Sequence, residues 1–275
     1  MSNPIPPRVL TIAGSDSGGG AGIQADIKTM CALGCYGMTA ITAVTAQNTV
    51  AVTAIHAIPP EIVACQINAV LSDIGADAVK TGMLFDSDII ITVAKELGDA
   101  GVKNLVVDPV MIAKSGDVLL RDKARQTLIE RLFPLALVVT PNIPEAEVLA
   151  GFGIRTEMDM ARAATHILGY GPRYVLMKGG HLASDSAVDY LFGGFQPLRL
   201  ASPRRDTKNT HGTGCTFSSA IACFLAHGED IEDAVTHAKD YITEAITQSF
   251  TLGQGYGPLN HLWPMTKLGN DDTIE

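Results

Sequence analysis

Short apolar runs alternate with helix-spaced stretches along most of the chain. Residues 9–14 (Val-Leu-Thr-Ile-Ala-Gly) are apolar at nearly every position, which predicts a strand buried on both faces. Residues 21–33 carry helical spacing and stop at Gly34. The same pattern predicts strands over 37–45, 52–56, 78–81, 104–108, 137–140 and 174–178. Helices are predicted over 60–71, 87–97, 122–132, 144–149 and 157–168, with Pro60 placed where its missing N–H costs nothing. Residues 187–192 and 197–200 read as a late antiparallel hairpin at one edge, and helices over 213–226 and 231–249 close the chain. Apolar strands separated by helices predict one α/β domain with a mainly parallel sheet covered on both faces. Ligands of such sheets bind outside the carboxyl ends of the strands, so the informative residues belong just after them.

Composition narrows the classes. With 275 residues, 47% hydrophobic and 18% charged, the chain has ample material for a core, and disorder is excluded. A net charge of −9, with Arg204-Arg205 the only short basic pair, argues against nucleic-acid or anionic-membrane partners. No apolar stretch approaches the length of a span, and residues 1–8 lack a signal-peptide pattern, so a cytoplasmic protein is expected. Five cysteines without a CxxC pair (Cys31, Cys35, Cys65, Cys215, Cys223) read as reduced; all but Cys215 are expected to act as small core residues. The seven histidines show no metal-ligand spacing and read as surface or core groups.

Four loops carry candidate chemistry. The first, residues 14–22 (Gly-Ser-Asp-Ser-Gly-Gly-Gly-Ala-Gly), follows a strand and opens a helix, so backbone can approach a ligand closely. Its Gly20-x-Gly22-x-x-Ala25 approximates a dinucleotide fingerprint. No Asp or Glu occurs between Asp26 and Glu61 to bind a ribose, which disfavours a nicotinamide dehydrogenase. The second, residues 210–215 (Thr-His-Gly-Thr-Gly-Cys), runs into an apolar helix. Free N–H groups and the positive end of the helix dipole converge there on an anion hole, and Cys215 in the first turn is expected to have a lowered thiol pKa. The third, residues 140–145 (Thr-Pro-Asn-Ile-Pro-Glu), offers Asn142 and Glu145 at a helix start. Glu145 either complements the dipole or orders a hydrated Mg²⁺, with Asp108 at the end of an apolar strand as a second carboxylate. The fourth places Lys178 at the end of a buried strand before Gly179-Gly180, where it meets phosphate oxygens or serves as a salt-bridge partner. A P-loop and a G-x-S-x-G elbow are both absent.

Taken in order, these segments resemble the hydroxymethylpyrimidine/phosphomethylpyrimidine kinases of the ribokinase superfamily. The resemblance is carried by residues 11–16, 19–26, 46–49 (Ala-Gln-Asn-Thr), 80–84 (Lys-Thr-Gly-Met-Leu), 108–117, 140–146, 176–181 and 207–215. It implies a three-layer α/β/α ribokinase-like domain over 1–266, a polar, disordered tail over 267–275, and no fused thiamine-phosphate synthase domain. It also implies two ATP- and Mg²⁺-dependent steps in one pocket: phosphorylation of hydroxymethylpyrimidine, then of its monophosphate. On the same basis Gln47 would pair with the aminopyrimidine edge, with Gly14, Met83 and Val110 lining the pocket and Asp16 shaping the loop. Asn142, Glu145 and Lys178 would serve MgATP, with Asp108 close to metal and phosphates. The backbone of Gly212, Thr213, Gly214 and Cys215 would hold the transferred phosphoryl charge. Cys215 stands where most of the superfamily has an aspartate base; cysteine there also marks related pyridoxal kinases, so a vitamin B6 kinase is the alternative. Gly18 departs from the serine more usual in the loop. The resemblance further implies a homodimer.

Overall fold

The computed structural model describes residues 4–111, 122–180 and 186–268. The first half alternates β1 (Arg8–Asp16), α1 (Gly22–Ala32), β2 (Tyr36–Gln47), β3 (Val52–Ala57), α2 (Pro60–Asp73), β4 (Ala78–Thr81), α3 (Ser87–Asp99) and β5 (Leu105–Val107). After α4 (Asp122–Thr127) come β6 (Val138–Val139), α5 (Ile143–Ala150), α6 (Glu157–Leu168) and β7 (Tyr174–Lys178). The hairpin β8 (Ser186–Phe192) and β9 (Leu198–Pro203) leads to α7 (Thr213–Ala226), α8 (Ile231–Thr247) and α9 (Trp263–Leu268).

The described strands form one sheet in the order β3-β2-β1-β4-β5-β6-β7-β8-β9. From β2 to β7 the pairing is parallel; β3, β8 and β9 add antiparallel edges. Period-two alternation supplies both faces. Leu10, Ile12, Val79, Leu105, Val107 and Val175 pack against Ile67 of α2, Ile90 of α3 and Met160 of α6. Val9, Ala78, Val106, Val138 and Leu176 pack on the other face against Phe217 and Ile221 of α7 and Ala234 of α8. Two apolar layers on one sheet make the three-layer α/β/α fold expected above. No described helix is long and apolar enough to cross a membrane.

Some expectations shift. The helix over 122–132 is α-helical only to Thr127; it widens into a π turn over Leu128–Leu132 and tightens into a 3-10 turn over Phe133–Leu135. Pro134, with no N–H to continue the ladder, stands at that change. Cys31 and Cys65 are exposed rather than core, while Cys35 and Cys223 are buried. Each exposed cysteine lies on the outward face of its helix, where the spacing of apolar neighbours alone did not separate them. The part of the 108–117 motif beyond Met111, His181, and the tail from 269 onward lie outside the described residues.

Beneath the carboxyl ends of the strands lies a fully buried ion pair. Lys80 Nζ of β4 sits 2.9 and 3.1 Å from the two oxygens of Asp26 on α1, both side chains having no solvent exposure. Thr11 Oγ1 of β1 and Ser219 Oγ of α7 donate to the same carboxylate at 2.6 and 2.7 Å. Removal from water, the largest effect, would lower the Lys80 ammonium, but the charges of Asp26, Cys215 and Asp108 and the Asp26 hydrogen bond together outweigh it and hold the pKa above its ordinary value. Replacing one partner strands the other charge. Lys80→Met is therefore expected to cost about 3–5 kcal/mol in urea unfolding, and adding Asp26→Asn to recover part of that loss.

Candidate active site

Asp16 is the junction of two loops. Past a register shift between Ala13 and Ser15, β1 stays paired with β2 to its last residue, Asp16, opposite Thr45. That carboxylate accepts the N–H groups of Gly18 (2.8 Å), Gly20 (3.1 Å) and Ala21 (2.8 Å), so the glycine loop curls around its own aspartate. His211 Nε2 reaches Asp16 Oδ2 at 2.8 Å and ties this loop to the one before α7. Burial alone would raise the Asp16 carboxyl, but the His211 bond and the loop N–H groups outweigh it and hold the pKa below the ordinary carboxylate range. Asp16 is 2% exposed and its oxygens serve the loops. The contact is close enough that Gly212, at φ 82°, has no room for a β-carbon against Gly20 O.

Gly212 caps α7. The Thr213 N–H is spent on Thr210 O at 3.3 Å, leaving Gly214 and Cys215 as the first-turn amides with no carbonyl of the helix four residues back. Gly214 lies against the charged centre: a β-carbon there would stand 3.3 Å from both Asp108 Oδ2 and Lys178 Nζ. Lys178 Nζ donates to Asp108 Oδ1 at 3.0 Å, and Thr140 Oγ1 reaches the same oxygen at 3.2 Å. Burial would lower the Lys178 ammonium; Asp108 and Glu145 raise it instead.

Asn142 and Glu145 form a reciprocal cap at the start of α5. Asn142 Oδ1 accepts the Glu145 N–H at 2.9 Å, and Glu145 Oε2 accepts the Asn142 N–H at 2.8 Å. Glu145 is 6% exposed. Burial, against the opposing pull of Lys178 and with Asp108 adding like charge, pushes its carboxyl up to about 7. Asn142 also bridges Lys178 of β7, so the third and fourth loops meet. Hard oxygen ligands packed beside an ammonium and an anion-binding helix end suit a phosphate-bound divalent cation.

Cys215 joins this centre rather than the apolar interior. Its sulfur interacts with the charges of Lys80, Asp26 and Asp108 and accepts the Gly22 N–H. The expected fall in its pKa is reversed. Although the residue keeps some open surface, loss of water dominates, with Lys80 pulling down and the carboxylates pushing up, and the thiol rises to about 11. A helix N-terminus favours thiolate, but here desolvation wins.

At the other end of the cleft, Gly14 lies directly beneath Met83, so a β-carbon there would collide with the Met83 methyl. The half-buried Val110 is tied to Asp108 by its N–H at 2.8 Å. Gln47 ends β2, with its side-chain amide beside His211 at 3.3 Å and Thr45 Oγ1 at 3.2 Å. A shallow cleft lined by Gln47, Thr49, His211 and Tyr256 opens there. The candidate residues thus gather in one place. Sequence reasoning passed over His211, Lys80 and Asp26 as parts of the site. The signals available were a charge inside the apolar strand 78–81 and a histidine beside a helix-opening glycine.

The family model for phosphomethylpyrimidine kinase matches residues 16–260. A hydroxymethylpyrimidine/phosphomethylpyrimidine kinase of Streptomyces coelicolor is 51% identical over 94% of this chain and 96% of its own length. A thiamine biosynthesis bifunctional protein of Geobacter sulfurreducens is 55% identical over 92% of this chain, which spans only 52% of that protein. Among solved structures, an ADP complex of Bacillus subtilis pyridoxal kinase superposes with a TM-score of 0.87 at 43% identity, covering 93% of this chain and 97% of that one.

Glu145 also sets a pH dependence. With its carboxyl at about 7 in the folded chain against an ordinary 4.5, the folded state holds a proton that the unfolded state releases between those values. Stability of the ligand-free protein is expected to fall as pH rises across that window and then level off. Glu145→Gln is expected to flatten that component of the slope in denaturant midpoints measured from pH 4.5 to 8.

Proposed function

The chain belongs to the phosphomethylpyrimidine kinase family, and from that membership we propose how its residues divide two phosphoryl transfers. It is a hydroxymethylpyrimidine/phosphomethylpyrimidine kinase of thiamine biosynthesis. ATP is the donor in this reading, supported by the ADP held by a relative of the same fold. Mg²⁺ would be held by Glu145 and Asp108 and would supply charge neutralisation and alignment of the phosphates. Asn142 and Lys178 complete the phosphate site, Lys178 as a point charge whose ammonium stays protonated. The amides at the start of α7 receive the charge that develops on the transferred group, with Gly212 and Thr213 shaping the turn that presents Gly214 and Cys215. One observation carries the reading: Lys178, Asp108 and the first turn of α7 converge within hydrogen-bonding reach of a single point.

At the acceptor end, Gln47 pairs with the aminopyrimidine edge over Gly14, Met83 and Val110, and Asp16 holds the loop that closes on it. The hydroxymethyl oxygen of the first substrate must lose a proton as its bond to phosphorus forms; the monophosphate of the second step is already anionic. The Cys215 thiolate therefore serves as base in the first step only. Because the thiol lies at about 11, the ionised fraction is small at neutral pH and grows as pH rises. Pyridoxal phosphorylation is the second reading, favoured by the 43% identity to a pyridoxal kinase; turnover of both substrates side by side separates the two. A homodimer in the cytoplasm completes the proposal, the dimer supported by the exposed edge strand β3 with Ile55 in it and the exposed Val44 of β2 alongside.

Cys215→Ser is expected to slow the first step by about 10²–10⁴-fold, to remove its rise with alkaline pH, and to spare the second step. The two steps are timed separately, each from its own substrate. Equal loss in both would overturn the division of labour.

A further inference from the structure

Two groups, Asp16 and Gln47, meet at His211 Nε2, and the hydrogen-bond inventory there allows one arrangement. Asp16 Oδ2, 2.8 Å away, is a carboxylate oxygen and only accepts, so Nε2 must carry a hydrogen. This holds whether the ring is neutral or charged. The Gln47 amide nitrogen faces the same atom at 3.3 Å, which sets donor against donor. At the other end of the amide, Thr45 Oγ1 spends its one hydrogen on Ser15 O at 2.8 Å and has only a lone pair left for Gln47 Oε1 at 3.2 Å. Half a turn of the amide, which exchanges atoms of nearly equal size, removes both conflicts at once. Oε1 then takes the shared Nε2–H, and the amide nitrogen donates to Thr45.

The Gln47 backbone is already held, its N–H on Ser17 Oγ at 2.8 Å and its carbonyl accepting that hydroxyl at 2.7 Å, so this side-chain amide is the freedom left to settle. We propose that His211, fixed by Asp16, locks the Gln47 amide in one orientation and thereby sets the donor–acceptor order that the site reads on the pyrimidine. In that orientation the spare N–H meets an unprotonated ring nitrogen and the spare lone pair meets an exocyclic amino group. That is the order of a 4-aminopyrimidine and the reverse of its 4-oxo counterpart, whose ring nitrogen carries hydrogen. Thr45 alone does not enforce the choice, because its hydroxyl can leave Ser15 O and turn toward the amide, whereas the Nε2–H held on Asp16 cannot. His211 is thus a positioning residue for specificity. The inference rests on Gln47 meeting the substrate edge, as read above.

The test compares KM and kcat for hydroxymethylpyrimidine and its 4-oxo analogue in wild type, His211→Phe, Thr45→Val and Gln47→Leu. The wild type is expected to prefer the amino compound. His211→Phe is expected to shrink that preference about tenfold or more, mostly through KM, because the freed amide can turn to match either compound. Thr45→Val is expected to keep the preference. If His211→Phe lowers kcat alike for both compounds and leaves their ratio unchanged, the residue is merely structural and the proposal is overturned. Should that variant fail to fold by its melting profile, His211→Ala is read by the same ratio. If Gln47→Leu leaves both KM values unaltered, the substrate reading fails and the inference falls with it; a raised KM there with an unmoved His211 ratio sinks the inference alone.

Discussion

A carboxylate and an ammonium with no access to water hold the working end of this sheet together. Asp26 and Lys80 neutralise each other there, and Thr11 and Ser219 donate to further lone pairs of the carboxylate. The four residues come from α1, β4, β1 and α7, so the pairing fixes where the amino ends of α1 and α7 stand relative to the strand ends. Ser219 lies one helical turn beyond Cys215 on the same face, so the pair sits directly below the thiol. Its charges reach upward as well: Lys80 favours the Cys215 thiolate and Asp26 opposes it.

Above that foundation, two glycine-bearing loops are folded onto one another. Asp16 gathers three amides of its own loop and the His211 ring of the other, and Gly212 lets the backbones approach to a distance no side chain would allow. The acceptor end of the cleft and the start of α7 are therefore parts of one unit. In the proposed reading, a substrate group near Gln47 and an anion at Gly214 and Cys215 would be positioned by the same set of hydrogen bonds. This suits phosphoryl transfer, where alignment and charge stabilisation do most of what covalent chemistry does elsewhere.

Burial sets the chemical state of the titratable groups in the cleft. Glu145 and Cys215 are both pushed toward their neutral forms by loss of water, and both stand beside ammonium groups that oppose the push. In the proposed reading, phosphate and cation would shift this state, because added charge changes a balance between large opposing effects. Lys178 and Asp108 are paired beside them at 3.0 Å.

The order of strands and helices, the antiparallel hairpin at the far edge and the loops that carry chemistry were legible in the chain, because apolar periodicity and glycine placement are local and survive without partners. So were Gly212, Gly214, Cys215, Asn142, Glu145 and Lys178 as residues placed just after strands or at helix starts. The exposure of Cys31 and Cys65, the widened turn after Thr127, the upward shift of the Cys215 thiol and the bond between His211 and Asp16 were not. The thiol shift and the His211 bond depend on which distant residue comes to lie alongside: His211 and Asp16 are 195 positions apart, and Ser219 and Asp26 are 193 apart. Sequence alone determined the elements and the residue types offered at their ends. The tertiary fold decided their protonation and partners, because desolvation and hydrogen bonding are set by neighbours in space.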